Sequence, residues 1–267
     1  MSEGHTLRSR VPGQSAMSNV VARQRALPPR RRLARVFGIS PLTAENRRIY
    51  RGALGELLVG DTVDHLGPSW DVLHAVPADA NNYEIDHLAI GPPGVFTILT
   101  QTHSGQEVVV DGDTISVGGR RDDLVRTARF EAETAAALLS TAAGRPVFVQ
   151  PIIVSVNPKR LLVRNQPSGM SIVASRDLER FFARLERQLD GPEVAFVSDV
   201  ADRPTTWHLS PAVDQDTTQL RRDFSELRAE VTTAAGRRLL WGALAFVLVC
   251  ALTWGSVALI VAHVIEV

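Results

Sequence analysis

Lysine is nearly absent from this chain. Lys159 is the only one among 29 basic residues, so arginine carries almost all the positive charge and hardly any lysine is available for catalysis. Cysteine is equally scarce. Cys250 stands alone, which excludes an intrachain disulfide framework and any zinc-knuckle spacing. It lies inside an apolar run, where it reads as a small buried side chain. Net charge is also missing, because 29 basic residues meet 29 acidic ones, and overall charge therefore gives no sign of a nucleic-acid partner. Neither a histidine pair at metal-ligand spacing nor a glycine-rich phosphate loop nor a nucleophile elbow is found. No apolar stretch follows the basic residues near the N-terminus, so that segment does not read as a secretory signal.

What is there begins with Glu84 to Gln101. Ile85 to Ile90 and Val95 to Thr100 are two β-rich runs, and Gly91-Pro92-Pro93-Gly94 between them supplies the turn chemistry of a hairpin. One acid, Asp86, sits inside the first run. Side chains alternate along a strand, which places Leu99, Gln101 and His103 on one face of the second. Glu84 shares the face of Asp86 by the same parity.

These residues, taken with their neighbours, resemble the NERD (nuclease-related) domain, a branch of the PD-(D/E)XK nuclease fold. Gly52-Ala53-Leu54-Gly55-Glu56 is similar to the family's helix with its Gly-Glu pair. Ile85-Asp86-His87 matches its Ile-Asp-His strand, Gly94-Val95-Phe96-Thr97-Ile98 its Gly-Val-Phe strand, and Ser104-Gly105 the Ser-Gly that follows. The resemblance covers roughly residues 48 to 160. It implies a restriction-endonuclease-like α/β fold, a mixed β-sheet flanked by helices. It also implies a site in which Glu56 and Asp86 hold magnesium or manganese. Family members usually carry an acid, one residue and then lysine at the end of the second strand. Leu99 and Gln101 stand there instead.

The rest of the chain fits around that core. Residues 1 to 40 hold Arg8, Arg10, Arg23, Arg25, Arg30, Arg31, Arg32 and Arg35 against a single acid, Glu3, with prolines at 12, 28 and 29. They read as a disordered basic arm, with Arg30, Arg31, Arg32 and Arg35 as candidates for contact with anionic lipid or nucleic-acid phosphate. Residues 41 to 201 read as the α/β domain. A helix over 41 to 66 carries Ile49, Ala53 and Leu57 on one face, and Gly52, Gly55 and Gly60 ask for close packing on a sheet. Trp70 to Val76 is a strand, and residues 78 to 84 a polar loop. Gln106 to Val110 and Thr114 to Val117 form a hairpin around Asp111-Gly112-Asp113. A helix to about Ala143 puts Val125, Ala128, Ala132, Ala135 and Leu139 on one stripe, with Gly144 as its stop. Val147 to Val156 is a strand buried on both faces. Ile172 to Ala174 is a shorter strand, and Ser175 caps a helix through Leu185. His74 and His87 read as core or edge histidines.

Residues 202 to 238 read as a linker followed by an amphipathic juxtamembrane helix, with Leu220, Phe224, Leu227 and Val231 at helical spacing. Leu239 to Ala262 contains no charged residue over 24 positions. As a helix it would span about 36 Å, enough for a bilayer core of about 30 Å. A single-pass transmembrane helix is therefore expected over 239–262. Arg237 and Arg238 at its start place the N-terminal domain in the cytoplasm of a cell-membrane protein. Ala251 and Gly255 form a small-xxx-small pair, so a homodimer through the juxtamembrane and transmembrane helices is a further expectation.

For function, the missing acid and lysine favour a membrane-anchored pseudoenzyme, a NERD-like binding or scaffold module with nucleic acid among its candidate partners. The alternative is a divergent metal-dependent nuclease with a relocated site. In that case Glu56 and Asp86 would hold the metal, Gln101 would donate a hydrogen bond, and the missing group would come from His103, from Glu107 on the next strand, or from Glu84 on the face of Asp86.

Overall fold

The computed structural model of the chain describes residues 6–78, 84–207 and 216–265, with side chains described through residue 255. The helices in chain order are α1 (Gln14–Arg25), α2 (Arg32–Val36), α3 (Ala44–Asp64), α4 (Leu124–Ala143), α5 (Leu178–Phe182), α6 (Gly191–Asp202) and α7 (Thr217–Ile265). The strands are β1 (Asp71–Pro77), β2 (Glu84–Gly91), β3 (Gly94–Thr102), β4 (Glu107–Asp111), β5 (Thr114–Val117), β6 (Arg120–Asp122), β7 (Val149–Val156), β8 (Arg160–Asn165) and β9 (Ser171–Ala174). The chain divides into two units, Met1–Val20 with Arg48–Leu220, and Val21–Arg47 with Arg221–Val267.

The first unit is a mixed α/β body, as expected, but it contains two mixed sheets rather than one. The larger runs β1-β2-β3-β7-β9. Its first three strands are antiparallel, and β3, β7 and β9 are mutually parallel. Parallel pairing of β3 and β7 needs a long crossover, and the connection between them contains α4. Helices cover both faces. On one side Val59 and Val63 of α3, with Leu178 and Phe182 of α5, pack on Ala89, Phe96, Ile98 and Val154. On the other, Ala135 and Leu139 of α4 pack with Leu73, Leu88 and Ile90, and Val125 and Ala128 with Leu99 and Ile153. Six consecutive residues of β7, Pro151 to Val156, are buried, as a strand covered on both faces must be. Gly144 ends α4 in the left-handed conformation at φ 66°.

The second sheet runs β6-β5-β4-β8. Its β4–β5 hairpin is where the Asp111-Gly112-Asp113 turn puts it. β8 adds in parallel to β4, from residues 160 to 165, where the sequence suggested no element.

The opening segment departs most from expectation. In place of a disordered arm over 1–40, residues 7–9 form a 3-10 turn, and α1 and α2 follow. Leu7, Val11, Met17 and Val20 are buried. Leu7 joins the cluster of Leu73, Leu88 and Trp207. Arg8 bonds Asp71 and Asp202, and Arg10 pairs with Glu84. Apolar residues set between the arginines give the segment a buried face, and two of the arginines neutralise acids of the domain. The core also runs past residue 201, because Trp207 is fully buried and its indole N–H donates to the Ala201 carbonyl at 2.8 Å.

In the second unit α7 is one continuous 49-residue helix that takes in both the amphipathic stretch and the apolar run. Phe224, Leu227 and Ala234 are buried, and Asp223 pairs with Arg25 at 2.6 Å. Its apolar part is long and apolar enough to cross a membrane, and none of its described residues from Leu239 to Gly255 is buried.

Candidate active site

The site forms where β2 and β3 part. Their ladder runs from Gly91↔Gly94 to His87↔Ile98 and stops there. Beyond it, the Thr100 N–H donates to Asp86 Oδ2 at 2.6 Å, so a side-chain carboxylate takes the place of the next strand. The register with β1 also steps over this point, passing from His74↔His87 to Val76↔Ile85. Ala75, the residue stepped over, has φ 49°, a left-handed conformation that costs a non-glycine residue on the order of 1 kcal/mol. The distortion re-aims the start of β2 and sets Asp86 apart from the regular sheet.

Glu56 reaches the same place from α3. The helix can come close because Gly55 has no side chain. A Cβ there would lie 2.4 Å from Thr102 Oγ1. Gly60 serves likewise against the Pro12 ring, whereas Gly52 has nothing within 4 Å and its presence finds no packing reason. Burial pushes the Glu56 carboxyl well above its ordinary value, and the charges of Asp86 and then Glu84 push it further. Burial likewise raises Asp86 to about 7, against the pull of the Thr100 N–H and with a push from Glu84. Glu84 is raised by burial and held back by Ser15 and Arg10. Three carboxyl groups thus share one partly buried spot, with one arginine engaged on one of them. Glu56 reads as more than the exposed helix residue it resembled in sequence.

The other expected site residues go elsewhere. Leu99 is buried among Val108, Val125, Ala128 and Ile153, on the α4 side of the sheet. His103 is buried and bonds Ser155 through Nδ1 at 2.8 Å, and burial depresses its basicity while Asp122 opposes the effect. Gln101 is half-buried at the strand end. Glu107 is exposed and pairs loosely with Arg160 at 3.9 Å. Of the candidate replacements, Glu84 lies with Glu56 and Asp86, while His103 bonds Ser155 and Glu107 pairs with Arg160. Arg10, Ser15 and Thr100 complete the spot and escaped sequence reasoning. Arg10 and Ser15 lie in the segment expected to be disordered, and nothing in their sequence setting ties them to Glu84.

Magnesium and manganese need several hard oxygen donors at short distance. Among the described residues no group of three or more Asp, Glu, His or Cys is arranged to hold a metal ion. Glu84 is occupied by Arg10, and Leu99 offers no donor. The donor set does not fit the divalent ion that the resemblance implies.

A second buried polar group lies one residue along β2. His74 and His87 face each other across the β1–β2 ladder, with Nδ1 to Nδ1 at 2.9 Å, and His74 Nε2 lies 2.9 Å from Asp64 Oδ1. A neutral imidazole carries a single N–H. If His74 donates to Asp64, His87 must donate to His74, which leaves His87 Nε2 a bare acceptor. That atom is buried with no hydrogen-bond partner. Burial, and then the neighbouring His74, hold His87 well below the ordinary imidazole range.

Residues 51–156 match the NERD family, the nuclease-related domain. The match spans α3 through β7 and so includes Glu56, Asp86 and the strand that carries Leu99 and Gln101. Searches among curated proteins and among solved structures return no match.

Proposed function

We propose that this chain is a membrane-anchored nuclease-related module that has lost phosphodiester hydrolysis and works by binding. The observation that carries the reading is the fate of Leu99. It lies sealed in an apolar cluster at the position where the nuclease family usually carries a metal-binding acid. Asp86 and Glu56 remain, with burial raising both carboxyls. The missing lysine also removes a fixed cation from beside the developing charge on phosphate. Losing one such preorganised group typically costs on the order of a hundredfold in rate, and groups that act as a unit do not contribute independently. Anchoring rests on the uncharged run within α7, and Arg237-Arg238 ahead of it favours a cytoplasmic N-terminal domain. Nucleic acid is the partner class suggested by the nuclease-related match.

The test is nicking of supercoiled plasmid by the full chain in detergent, with magnesium or manganese, beside Asp86→Asn. Equal and negligible nicking by both is expected, together with retention of plasmid by the uncleaving protein. Metal-dependent nicking that disappears with Asp86→Asn would overturn the inactive reading. Activity created by Leu99→Glu with Gln101→Lys would locate the loss in that strand.

A further inference from the structure

The second unit carries an apolar and basic surface beside the start of the apolar run. It is built by α2 and the turn after it. Ile39 N–H bonds the Ala34 carbonyl at 2.9 Å and Gly38 N–H bonds the Arg35 carbonyl at 3.4 Å, the paired hydrogen bonds that close a helix on a left-handed glycine. Gly38 has φ 68°, and a Cβ there would lie 2.4 Å from the Ala234 carbonyl oxygen and 2.5 Å from the Arg238 nitrogen. The turn is therefore pressed onto the backbone of α7. Three contacts hold it: Trp241 Nε1–H donates to the Val36 carbonyl at 2.9 Å, Arg237 Nη1 donates to the Arg35 carbonyl at 2.8 Å, and the Phe37 and Trp241 rings lie 5.2 Å apart.

This docking leaves apolar side chains facing outward. Leu33 is 70% exposed, Val36 49%, Phe37 49% and Ile39 58%, where a helix turn packed on a water-soluble domain would bury such residues. Arg31, Arg32, Arg35, Arg237 and Arg238 are exposed beside them, and Arg30 is half-buried. No acid occurs between residues 26 and 44 or between 231 and 255. Among the described residues the acids of this unit are Glu45, which pairs with Arg23, and Asp223, Glu226 and Glu230, which lie two to four turns earlier on α7, where Arg25 answers Asp223. Apolar side chains and unopposed arginines thus meet at the end of a helix segment that is itself apolar on every side.

We propose that residues 30–39, docked on the start of the apolar run, form a collar that sits in the headgroup region of an anionic bilayer, with Leu33, Val36, Phe37 and Ile39 dipping toward the acyl chains. The inference rests on the anchoring part of the function proposed above. An aromatic pair at the helix start suits the interface, where amphipathic rings sit at headgroup level. Basic residues around apolar anchors are what an anionic lipid surface attracts. A nucleic-acid duplex would also attract the arginines but would leave the exposed Leu33 and Ile39 without a partner.

The experiment uses the full chain in liposomes of phosphatidylcholine with a quarter phosphatidylglycerol. Cys250 is the single cysteine, so a nitroxide on it reports the apolar run. In a Cys250→Ser background, Leu33→Cys and Ile39→Cys report the collar and Phe148→Cys, on the first unit and 85% exposed, reports water. Relative accessibility to oxygen and to a nickel chelate gives depth. The labels at 33 and 39 are expected to show several-fold less nickel access than the label at 148, and to regain it with Gly38→Val. If Cys250 is deep while 33 and 39 are as wet as 148, the collar is wrong and the anchor stands. If Cys250 is also wet, the anchoring reading falls and the collar with it. Labels at 33 and 39 that ignore lipid but are immobilised by a DNA duplex would assign the surface to nucleic acid and overturn the proposal.

Discussion

Asp86 and His87 are neighbours on β2, yet their burial works in opposite directions. Asp86 turns into a cluster of acids, and burial raises its carboxyl to about 7. His87 turns toward α3 and a second imidazole, and burial holds it well below the ordinary range. Both groups are driven toward their neutral forms, because a low-dielectric setting penalises whichever form is charged. The consequences for stability have opposite signs. For Asp86 the folded value lies above the unfolded one of about 3.9, so its contribution is complete below that pH and is lost as pH rises through about 7. For His87 the folded value lies below about 6.5, so its contribution is complete above that pH and is lost as pH falls. One strand position therefore weakens the domain in base and the next weakens it in acid. The difference teaches where to look for function. His87 has a packed, nearly satisfied setting in which the polar group serves the core. The carboxyl cluster gathers like charges at the end of a broken ladder, an arrangement that costs stability and that a structural role does not require.

The comparison breaks most severely if the carboxyl cluster is extended into the apolar side. Leu99→Glu puts an acid among Val108, Val125 and Ala128 without a partner. Thermal or urea unfolding of the full chain at pH 8 is expected to show a loss of about 4 kcal/mol. A loss under about 1 kcal/mol would mean that position 99 opens onto Asp86 and Glu56 after all, and the inactive reading would weaken with it.

His87→Ala comes next. It deletes a fully buried ring and leaves His74 with one partner fewer. The expected cost is about 2–3 kcal/mol at pH 8. The cost should shrink at pH 5, because the wild-type protein has by then begun to lose the stability tied to a neutral His87. A cost that stays equal at both pH values would show that the imidazole titrates normally.

Asp86→Asn has a smaller effect of the other sign. The amide oxygen can still accept from Thr100, while the penalty for charging the group disappears. Stabilisation of about 1–2 kcal/mol at pH 8 and none at pH 4 is expected from the same melts. A loss of stability at pH 8 would show that the ionised carboxylate is favoured in the fold.

Much of this was legible in the sequence, for reasons that also mark its limits. The β2–β3 hairpin, α4 with its glycine stop and the buried β7 each carry a strong local signal: turn chemistry, a 3.6-residue stripe and an unbroken apolar run. β8 carries none, because Arg160, Arg164 and Asn165 are exposed on an edge and its partner β4 is more than fifty residues away. α6 was passed over although Asp190 and Glu193 form a capping box at its start. The arginines of the first forty residues hid Leu7, Val11 and Met17, whose buried face exists only once the domain supplies a surface. Asp86 and Glu56 came from motif resemblance. The His74–His87 pair was within reach of simple register, since antiparallel pairing of Asp71 with Ile90 brings 74 opposite 87. The shared face of Leu99 and His103 was legible too, but which helix that face meets was not.

The smallest expected effect concerns metal, and it decides between the two readings of the carboxyl cluster. An ion that binds only the folded state raises stability by RT ln(1 + [L]/Kd), which is about 0.4 kcal/mol when the ion is present at its own Kd. The cluster offers two carboxyls beyond the one Arg10 engages, and both are raised by burial, Glu56 also by the charges of Asp86 and Glu84 and Asp86 also by that of Glu84. Binding would have to displace protons from them, so affinity should be weak at pH 7 and better at pH 8.5. Magnesium or manganese at 10 mM is therefore expected to shift the melting temperature of the full chain by no more than about one degree at pH 7, since 0.4 kcal/mol moves a domain of this size by about that much. Asp86→Asn and Glu56→Gln should leave even that small shift indistinguishable from the effect of salt. A shift that grows steadily with the logarithm of manganese concentration, and that either substitution abolishes, would show a real cation site. The carboxyl cluster would then be a working remnant of the nuclease centre, and its unfavourable protonation would be the state from which the metal releases it.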